Sequence, residues 1–431
     1  MRAGDILRQL RAYESRNVTF LDPDGSWPIV WDRARDVHVW DVAGRKYLDL
    51  TAAFGVAAAG HANPRVVRAG QRQLARLPHA MGDVHPHPRK AQLARALSGL
   101  TFERWGQGVR GKTFFCNSGF EAVEAALKTA VLATGRREIV AFRGGYHGLG
   151  YGALNVTSRA HFRGPFEEQL GQFGRFVAFP ATASQLGSME KELRRVLGCG
   201  RVAAILTEPI QGRGGVRVPP AGFLEVLRQC ASEHKALLIL DEIYTGFGRT
   251  GRWFACEHAG VVPDLICLGK ALTGGFPLSA CVGRAEVMDG AWPESTGEAI
   301  HTSTFLGHPV GCAMALAQIE EIRSARLWER SERTGGWLQA ELSAMALPEG
   351  LTGEVRGRGL MVGLELRRGD GLPATEFVLR TVKGMLAAGY ILLPEGEHGE
   401  VIGFTPPLTI TEAQVKQTVK ALARVMAQVQ A

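Results

Sequence analysis

Short apolar runs alternate with longer amphipathic segments through the middle of the chain. The runs EIVAF, VAAILTEPI, ALLILDEI and DLICLGKA are rich in β-forming residues, whereas residues 119–132 and the segment GFLEVLRQCASEHK have the apolar spacing of helices. Strands that alternate with helices indicate parallel pairing, and near-continuous apolar strands such as ALLIL are typical of a sheet covered on both faces. The pattern predicts an α/β fold built on a mostly parallel sheet, with a further short strand at 112–116.

The two ends of the chain carry a different pattern. Apolar residues at helical spacing predict a short amphipathic helix at the N-terminus, and VAGRKY places a glycine turn between two apolar runs, which predicts a hairpin. From about residue 310, CAMALAQIEEIRSARLWER predicts one long helix, and EAQVKQTVKALARVMAQVQ predicts the last one. We therefore expect a large domain over residues 63–312 and a small α+β domain formed by residues 1–62 and 313–431.

The composition is that of a folded chain with dispersed charge. Of the 431 residues, 45% are hydrophobic and 21% are charged, which argues against disorder. The net charge of +8 raises the question of nucleic acid, but the 50 basic residues are scattered among 42 acidic ones. No stretch approaches the ~18 apolar residues of a membrane span, and the N-terminus lacks the apolar core of a signal peptide. We expect no nucleic-acid and no membrane partner.

The cysteines indicate a reducing compartment. There are seven, widely spaced and without a CxxC pair, and several lie in apolar runs, such as Cys267 and Cys281. This predicts buried free thiols in a cytoplasmic protein rather than a disulfide framework. His79, His85 and His87 lie close together, but prolines interrupt any helical register and no HExxH motif is present, so we predict no metal site.

One motif suggests a nucleotide hydrolase. Residues 106–113, GQGVRGKT, match the phosphate-loop pattern GxxxxGK[ST], and the strand that ends at Asp241 and Glu242 could bind magnesium for a P-loop ATPase. Such a loop must follow a buried strand and open a helix, so that helical amides hold the phosphate. Here TFERWGQG is a poor strand and the following TFFC is predicted to be a strand, which disfavours this alternative.

The segment that follows this motif has the strand–turn–helix arrangement that the motif itself lacks. A predicted strand ends at Cys116, and a helix is expected from Gly119 onward. Ser118 is a good N-cap residue, and Glu121 three positions later completes a capping box. A Ser-Gly turn at a helix N-terminus offers free amides and a hydroxyl to an anion. A plain helix cap explains the same residues equally well.

Three other residues follow predicted strands and widen the interpretation. Asp241 ends the buried run ALLIL, Lys270 follows the run DLICLG, and Tyr146 lies in the glycine-rich loop after EIVAF. Ligands bind at this end of the strands in open parallel sheets. Each residue also has an ordinary explanation: an ion pair, a surface lysine and a turn. Pyridoxal phosphate would use all the pieces: a lysine for a Schiff base, an acid on the pyridine nitrogen, an anion cradle and an aromatic plate.

The motifs as a set resemble those of a known family. The sequence is similar to the class III pyridoxal-phosphate aminotransferases, the ornithine, 4-aminobutyrate and omega-amino-acid group, from about residue 27 to 425. The resemblance implies a PLP-dependent transferase fold of type I, a large domain with a central mostly parallel sheet and a small α+β domain from both chain ends. The motifs, in family order, are GRKYLDL, GVAAAGHANPRVV, NSGFEAVEAALKTA, GGYHG, TEPIQG, LLILDEIYTGFGRTG, PDLICLGKALTGGFPLSA, HTSTFLGHPVGCAMALA, RGRGLMVGLEL and TPPLTI.

The resemblance also implies roles for single residues. Lys270 would bind the cofactor, Asp241 would pair with its pyridine nitrogen, and Tyr146 would stack on its ring. Thr304 would reach the phosphate of a neighbouring subunit, which implies a homodimer with shared sites. The remaining implied contacts are Ser118, Gly119 and Phe120 at the phosphate, His147 beside Tyr146, Glu208 near Asp241 and the cofactor oxygen, Ile243 on the opposite face of the ring, and Phe54, Val56 and Gln211 toward the substrate.

The implied reaction moves an amino group from a primary amine or amino acid to an oxo acid by a ping-pong mechanism. Two departures from the family pattern leave the substrate open. Gly403 stands where relatives that use 2-oxoglutarate often have an arginine, and Arg213 stands where they have the glutamate that pairs with it. One hypothesis is that Arg213 supplies a relocated carboxylate or phosphate clamp; alternatively it points to solvent and the pocket holds a neutral amine. A racemase, epimerase or aminomutase of the same fold is the alternative activity, because it would use the same lysine.

Overall fold

A computed structural model describes residues 1–106 and 108–430. Its strands fall into one central sheet and two smaller ones. They are β1 (Trp31–Arg35), β2 (His38–Asp41), β3 (Lys46–Asp49), β4 (Gly111–Cys116), β5 (Glu138–Phe142), β6 (Gly174–Val177), β7 (Val202–Thr207), β8 (Leu237–Asp241), β9 (Leu265–Leu268), β10 (Ser279–Arg284), β11 (Leu351–Arg358), β12 (Met361–Arg368), β13 (Tyr390–Ile391), β14 (Leu393–Glu395) and β15 (Val401–Phe404).

Helices connect the strands and cover both faces of the central sheet. Short 3-10 turns lie at Gly164–Gln169, Ala255–His258 and Lys270–Leu272. The helical segments are α1 (Ala3–Tyr13), α2 (Ala52–Gly55, a single left-handed turn), α3 (Pro64–Arg76), α4 (Pro88–Leu100), α5 (Phe102–Trp105), α6 (Gly119–Thr134), α7 (Tyr151–Val156), α8 (Ala160–Arg163), α9 (Ala183–Leu197), α10 (Phe223–Glu233), α11 (Ala285–Ala291), α12 (Pro309–Ser324), α13 (Leu327–Ala344), α14 (Thr375–Ala387) and α15 (Glu412–Gln430).

The central sheet is mostly parallel, as the apolar pattern predicts. Its order is β4-β10-β9-β8-β7-β5-β6, and the five strands from β9 to β6 pair in parallel. Every residue of β5, β7 and β9 is buried, which explains their near-continuous apolar sequences. Strand β10, which the sequence analysis did not predict, runs antiparallel to both neighbours. The connection 269–278 is too short for a parallel crossover, which needs a dozen or more residues.

The chain ends meet in one of the smaller sheets. The predicted hairpin is confirmed, since β2 and β3 pair antiparallel, and β13 from the C-terminal part then pairs in parallel with β3. The other small sheet has the order β11-β12-β15-β14 and is antiparallel. The division into domains at residues 62 and 312 stays a prediction, and Ala431 lies outside the described residues.

Two local expectations are tested by the backbone. The single long helix expected after residue 310 is wrong: α12 ends at Ser324 and α13 begins at Leu327, because Arg326 adopts φ of +48° in the left-handed region. An L-residue in that conformation cannot continue a right-handed helix. The phosphate-loop alternative is also wrong, since Gly111 begins strand β4 and pairs with β10 rather than opening a helix. Gln107 of that motif lies outside the described residues.

The thiol expectation is confirmed. All seven cysteines are free, and six of them are buried, the exception being Cys199. Cys267 and Cys281 face each other in register on β9 and β10. Within the described part of the chain, no helix is long and apolar enough to cross a membrane.

Two adjacent glycines in α13 offer a test of how this helix packs against the turn between β11 and β12. A methyl group on Gly335 would overlap the carbonyl group of Gly359, in the tight turn between β11 and β12, whereas Gly336 is exposed and has open space around it. We expect Gly335→Ala to lower the free energy of unfolding by roughly 1–3 kcal/mol, because backbone atoms cannot move aside cheaply. Urea or thermal unfolding measures the effect.

Gly336→Ala is the matched control. It should raise stability by about 0.5–1 kcal/mol, because alanine loses less conformational entropy than glycine in a helix. Equal effects of the two substitutions on the free energy of unfolding would contradict the packing of α13 against the turn between β11 and β12.

Candidate active site

The predicted site residues converge at the carboxyl edge of the central sheet. Asp241 is the last residue of β8, Glu208 follows β7, and Lys270 follows β9 after one glycine. Tyr146 lies in the loop after β5. Because parallel strands end at the same edge, side chains far apart in sequence meet there. They surround a cavity of about 350 Å³, whose wall consists of Gly119, Phe120, Tyr146, His147, Gly148, Leu149, Glu208, Arg213, Asp241, Ile243, Tyr244 and Lys270.

A buried pair lies at the base of the cavity. The Nδ1 atom of His147 is 2.8 Å from Oδ2 of Asp241, and the backbone N–H of Ile243 donates to Oδ1 over 3.1 Å. Both side chains of the pair are almost inaccessible to solvent. Burial alone would lower the pKa of His147, but the hydrogen bond with Asp241 and the charges of Asp241 and Glu208 outweigh it and raise that pKa. The pair therefore favours an imidazolium against a carboxylate.

Glu208 ties the loop after β5 to the loop after β7. Its Oε2 accepts the backbone N–H of Tyr146 and its Oε1 accepts that of Gly212, both at 3.0 Å. Burial raises the pKa of Glu208 to about 7, against the opposing effect of His147, and the charge of Asp241 adds to the rise. Glu208 is thus poised between the neutral and charged forms near physiological pH.

Lys270 is held in an unusual conformation with its amino group inside the site. Its φ is +28°, which is strained for a residue with a side chain. Burial lowers the pKa of Lys270, although the carboxylates of Asp241, Glu208 and Glu395 work in the opposite direction. A lysine whose pKa is lowered has a larger fraction of neutral amine, the form that acts as nucleophile and base.

The start of α6 has the predicted helix cap at the turn where an anion cradle was expected. Glu121 accepts the backbone N–H groups of Asn117 at 2.6 Å and Ser118 at 3.3 Å. The hydroxyl of Ser118 is buried and, among the described residues, has no hydrogen-bond partner. A buried unpaired hydroxyl is costly unless a ligand completes it. A Cβ on Gly119 would lie 3.0 Å from Cδ1 of Ile243, so a larger residue would crowd this turn.

Two side chains shape the walls. Tyr146 packs edge-to-face against Phe162, with ring centroids 5.5 Å apart, and the guanidinium carbon of Arg213 lies 5.6 Å from the centroid of the Tyr146 ring. Ile243 is packed between Gly119 and Gly269. Arg213 lines the cavity, and its Nε atom is buried without a partner among the described residues. The side chain of Arg213 therefore faces the cavity rather than bulk solvent.

The position of Gly403 is covered by another residue. A Cβ on Gly403, in β15, would lie 3.0 Å from Cγ of Glu395, in the neighbouring strand β14. Glu395 is buried; burial raises its pKa, whereas the charges of Arg213, Lys270 and Arg159 lower it. The side chain of Glu395 therefore packs over Gly403, the position that the family resemblance associates with an arginine.

Other predicted residues lie outside the cavity wall. Phe54 is 53% exposed and lies on the left-handed turn α2, next to the half-buried Val56. Gln211 is buried behind the loop after β5, where its Nε2 donates to the carbonyl of Arg143 over 2.9 Å. Thr304 is exposed in the loop before α12. Within the described chain, none of these four residues lines the cavity itself.

The histidines near residue 80 have other partners. Nε2 of His87 is 2.7 Å from the carbonyl oxygen of Gly307, and His79 packs against the ring of Phe305. In the part of the chain that the structure describes, no three His, Cys, Asp or Glu side chains gather closely enough to hold a metal ion.

Sequence reasoning missed three residues of the site and one pairing. It did not assign Tyr244, Leu149 or Glu395, although the first two line the cavity. It also did not pair His147 with Asp241. Tyr244 and Leu149 each lie within three residues of a predicted site residue on the same loop, so their position after a strand was the available signal. Glu395 had none, because it meets the site only through the pairing of β14 with β15.

Comparisons with known proteins agree with this geometry. The model of the family described as aminotransferase class-III matches residues 21–426. An acetylornithine aminotransferase of Methanosarcina mazei is 37% identical over 92% of each chain, and a 5-aminovalerate aminotransferase of Pseudomonas aeruginosa is 37% identical over 92% of this chain and 93% of that one. The crystal structure of an amine transaminase from an uncultivated Pseudomonas species, in its PLP-bound form, matches with a TM-score of 0.86 and 28% identity, over 96% of this chain and 98% of that one.

The pair at the base of the cavity can be tested by titration. In Asp241→Asn the pKa of His147 should fall, because its charged hydrogen-bond partner is lost and burial then dominates. Since the folded pKa lies above the ordinary value of 6.5, the pair stabilises the fold most below that value and loses its effect as the pH rises through the folded pKa. Asp241→Asn should therefore destabilise the protein more at acid than at alkaline pH.

Imidazole NMR shifts across a pH series measure the change. His258, which contacts Thr250, is the internal control in the same spectra and should titrate as in the wild type. An unchanged His147 titration in Asp241→Asn would rule out the pairing.

Proposed function

The chain belongs to the class III aminotransferase family, enzymes that transfer amino groups, and we propose that it does so with pyridoxal 5′-phosphate bound in the cavity at the carboxyl edge of the sheet. The family match confirms the resemblance carried by the motifs, and the structural neighbours confirm the expected fold class. The observation that carries the proposal is one cavity lined by the amine of Lys270 and by the buried pair of Asp241 with His147, with the unpartnered hydroxyl of Ser118 next in sequence to the lining residue Gly119.

The residues present fit this cofactor in three respects. The buried hydroxyl of Ser118 and the free amides at the start of α6 would hold the phosphate. The carboxylate of Asp241, fixed by His147, would hold a protonated ring nitrogen, because a buried carboxylate needs a positive or donating partner. Tyr146 and Ile243 both line the cavity and would face the ring.

Lys270 carries the proton chemistry in this proposal. When bound, pyridoxal phosphate supplies a conjugated ring that withdraws electrons from the substrate carbon. The amino group of Lys270, whose pKa is lowered by burial, would accept the proton from that carbon and return it to another. Glu208, whose pKa is about 7, would accept or donate a hydrogen bond near the ring according to its state.

The reaction proceeds in two halves, in which an amine first gives up its amino group and an oxo acid then receives one. The racemase, epimerase and aminomutase alternative uses the same lysine but releases no aminated cofactor to a second substrate. The named relatives that match over most of this chain are aminotransferases, which supports transamination over that alternative.

For the substrate, we propose that Arg213 binds a carboxylate. Its guanidinium lies at the cavity wall with an unpartnered Nε, and no arginine can lie at position 403 of this chain. A guanidinium and a carboxylate form strong, often bidentate hydrogen bonds. The matched relative that acts on 5-aminovalerate supports an amine donor that also carries a carboxylate. Phe54 and Val56 would lie around the far end of such a substrate, whereas Gln211, buried behind the loop after β5, would support that loop rather than contact the substrate.

We also propose a homodimer in the cytoplasm. Phe54, Phe305 and Thr304 are exposed on loops beside the site, and Phe120 at the cavity wall is 38% exposed. Exposed aromatic residues around a cavity are typical of a surface that another chain covers. A second copy would bring its own Thr304 toward this cavity. Free cysteines throughout fit a reducing compartment.

Borohydride trapping tests the cofactor lysine. Reduction of the purified protein should fix the cofactor to the peptide that contains Lys270, because reduction makes the lysine–cofactor bond permanent. Mass spectrometry locates the label. In Lys270→Ala the label and the visible absorbance of the bound cofactor should both be lost.

Lys112→Ala is the control, because this exposed lysine pairs with Asp289 outside the cavity. A label on any peptide other than that of Lys270 would overturn the assignment. Treating the unreduced enzyme with an amine alone should convert its cofactor to the aminated form; racemisation of the amine without that conversion would favour the alternative activity.

Arg213→Ala tests the carboxylate clamp. The variant should raise the KM of an ω-amino acid by about 10- to 100-fold, because a charged hydrogen bond contributes roughly 1.5–3 kcal/mol. The KM of the alkylamine of the same chain length, which lacks the carboxylate, should stay within about twofold. Steady-state kinetics with both donors measures the difference.

The control is Arg195→Ala, since Arg195 is exposed on α9 and outside the cavity wall. Equal changes in KM for the donor with a carboxylate and the donor without one in Arg213→Ala would rule out a direct contact with the carboxylate.

A further inference from the structure

The aromatic ring of Tyr244 lies beside the amino group of Lys270. Nζ of Lys270 is 3.8 Å from the centroid of the Tyr244 ring, well inside the ~6 Å limit for attraction between an ammonium and a ring face. Tyr244 lines the same cavity and comes three residues after Asp241. No role for it follows from the sequence motifs.

The ring is fixed on all sides. The Tyr244 hydroxyl is 3.0 Å from Oγ1 of Thr405, and that oxygen is 3.3 Å from the carbonyl of Thr51. A methyl group on Gly55 would lie 2.5 Å from Cε2 of Tyr244, and one on Gly212 would overlap the opposite edge of the ring. Only glycines leave room for the ring, which therefore has one position and presents one face to Lys270.

The ring offers Lys270 an attractive contact that does not form an ion pair with its ammonium group. Burial raises the pKa of Tyr244 to about 12, so the phenol is neutral at physiological pH. A carboxylate at the same distance would hold the lysine as a paired ammonium, whereas a ring face attracts it more weakly. The charged groups that act on the amino group are Asp241 after β8, Glu208 after β7, Glu395 in β14 and Arg213 in the loop after Glu208.

We propose that the ring face of Tyr244 is the resting position of the Lys270 amino group whenever that group is free, which makes Tyr244 a positioning residue for the catalytic lysine. The proposal rests on the proposed function, in which Lys270 alternates between a bound and a free state. The ring holds the free amine within the cavity and, as a ring face beside an ammonium, favours the protonated amine, whereas burial disfavours it.

The test measures the protonation of Lys270 in the full-length enzyme with its cofactor in the aminated form, where the lysine is free. Competitive acetylation over a pH series, read by mass spectrometry of the Lys270 peptide, gives the pKa. In Tyr244→Leu this pKa should fall by about one unit, a tenfold change in the protonation equilibrium. In Tyr244→Phe, which keeps the ring, it should stay within about 0.3 units.

Fluorinated phenylalanines at position 244 keep the proposal testable if Tyr244→Leu does not fold. Each added fluorine weakens the negative face of the ring at nearly constant shape, so the pKa of Lys270 should fall stepwise along the series. The rate of the amine half-reaction should fall over the same series, because a weaker ring face holds the free amine less firmly in position, while the KM of the donor stays unchanged. A role in packing alone would leave this series flat.

Two results would overturn the proposal. One is an unchanged pKa of Lys270. This means a pKa in Tyr244→Leu equal to that of the wild type, or a pKa that stays constant across the fluorinated series. The other is a fall in Tyr244→Phe as large as in Tyr244→Leu, since this would assign the effect to the hydroxyl. Borohydride trapping at Lys270 in the wild-type enzyme is checked first, so failure of the proposed function is recognised separately.

Discussion

The hydrogen bond between Asp241 and His147 is the interaction on which the site depends. A carboxylate at the end of a buried strand is expensive to desolvate unless it is paired, and its hydrogen bond with His147 brings the loop after β5 over the end of β8. That loop also carries Tyr146, whose backbone N–H is held by Glu208 after β7. One electrostatic requirement thus sets the relative positions of three loops, and the aromatic wall of the cavity follows from it.

Size constrains the site as strictly as charge does. Ile243 and Tyr244, the second and third residues after Asp241, insert into spaces that glycines leave open. Ile243 lies between Gly119 and Gly269, and the Tyr244 ring lies between Gly55 and Gly212. Because a Cβ at these glycines would meet the inserted side chain, the segment after β8 is locked against the start of α6 and the loop after β9. The anion cradle and the lysine are therefore held by packing as well as by hydrogen bonds.

The features that the sequence could predict have a different physical origin from those that it could not. Periodicity and strand-end position depend on neighbouring residues, so the parallel strands, the hairpin and the meeting of Asp241 with Tyr146 could all be predicted. The antiparallel β10 depends on the length of one connection, and the break at Arg326 depends on a backbone angle within an unbroken apolar pattern. The contact of Glu395 with Gly403 arises from strand register, and that of Tyr244 with Lys270 from packing of separate loops. Neither contact can be predicted from the hydrophobic pattern of the sequence alone.

Part of the strained backbone of the protein lies close to the candidate active site. Ala52, Ala53, Phe54 and Gly55 all have positive φ, from +47° to +80°, although left-handed residues normally occur singly. Such conformations cost about 1–3 kcal/mol each and persist only where the surroundings impose them. Here Asp49 accepts hydrogen bonds from Thr51 and Ala53 and lies 2.7 Å from Nε2 of His61, which anchors the turn at both ends. Gly55 meets the Tyr244 ring, and Lys270 beyond that ring is itself strained at +28°. Two strained segments thus contact one tyrosine, the turn at an edge of its ring and Lys270 at a face, so that a displacement of the turn carrying Phe54 would be felt at the lysine through the ring.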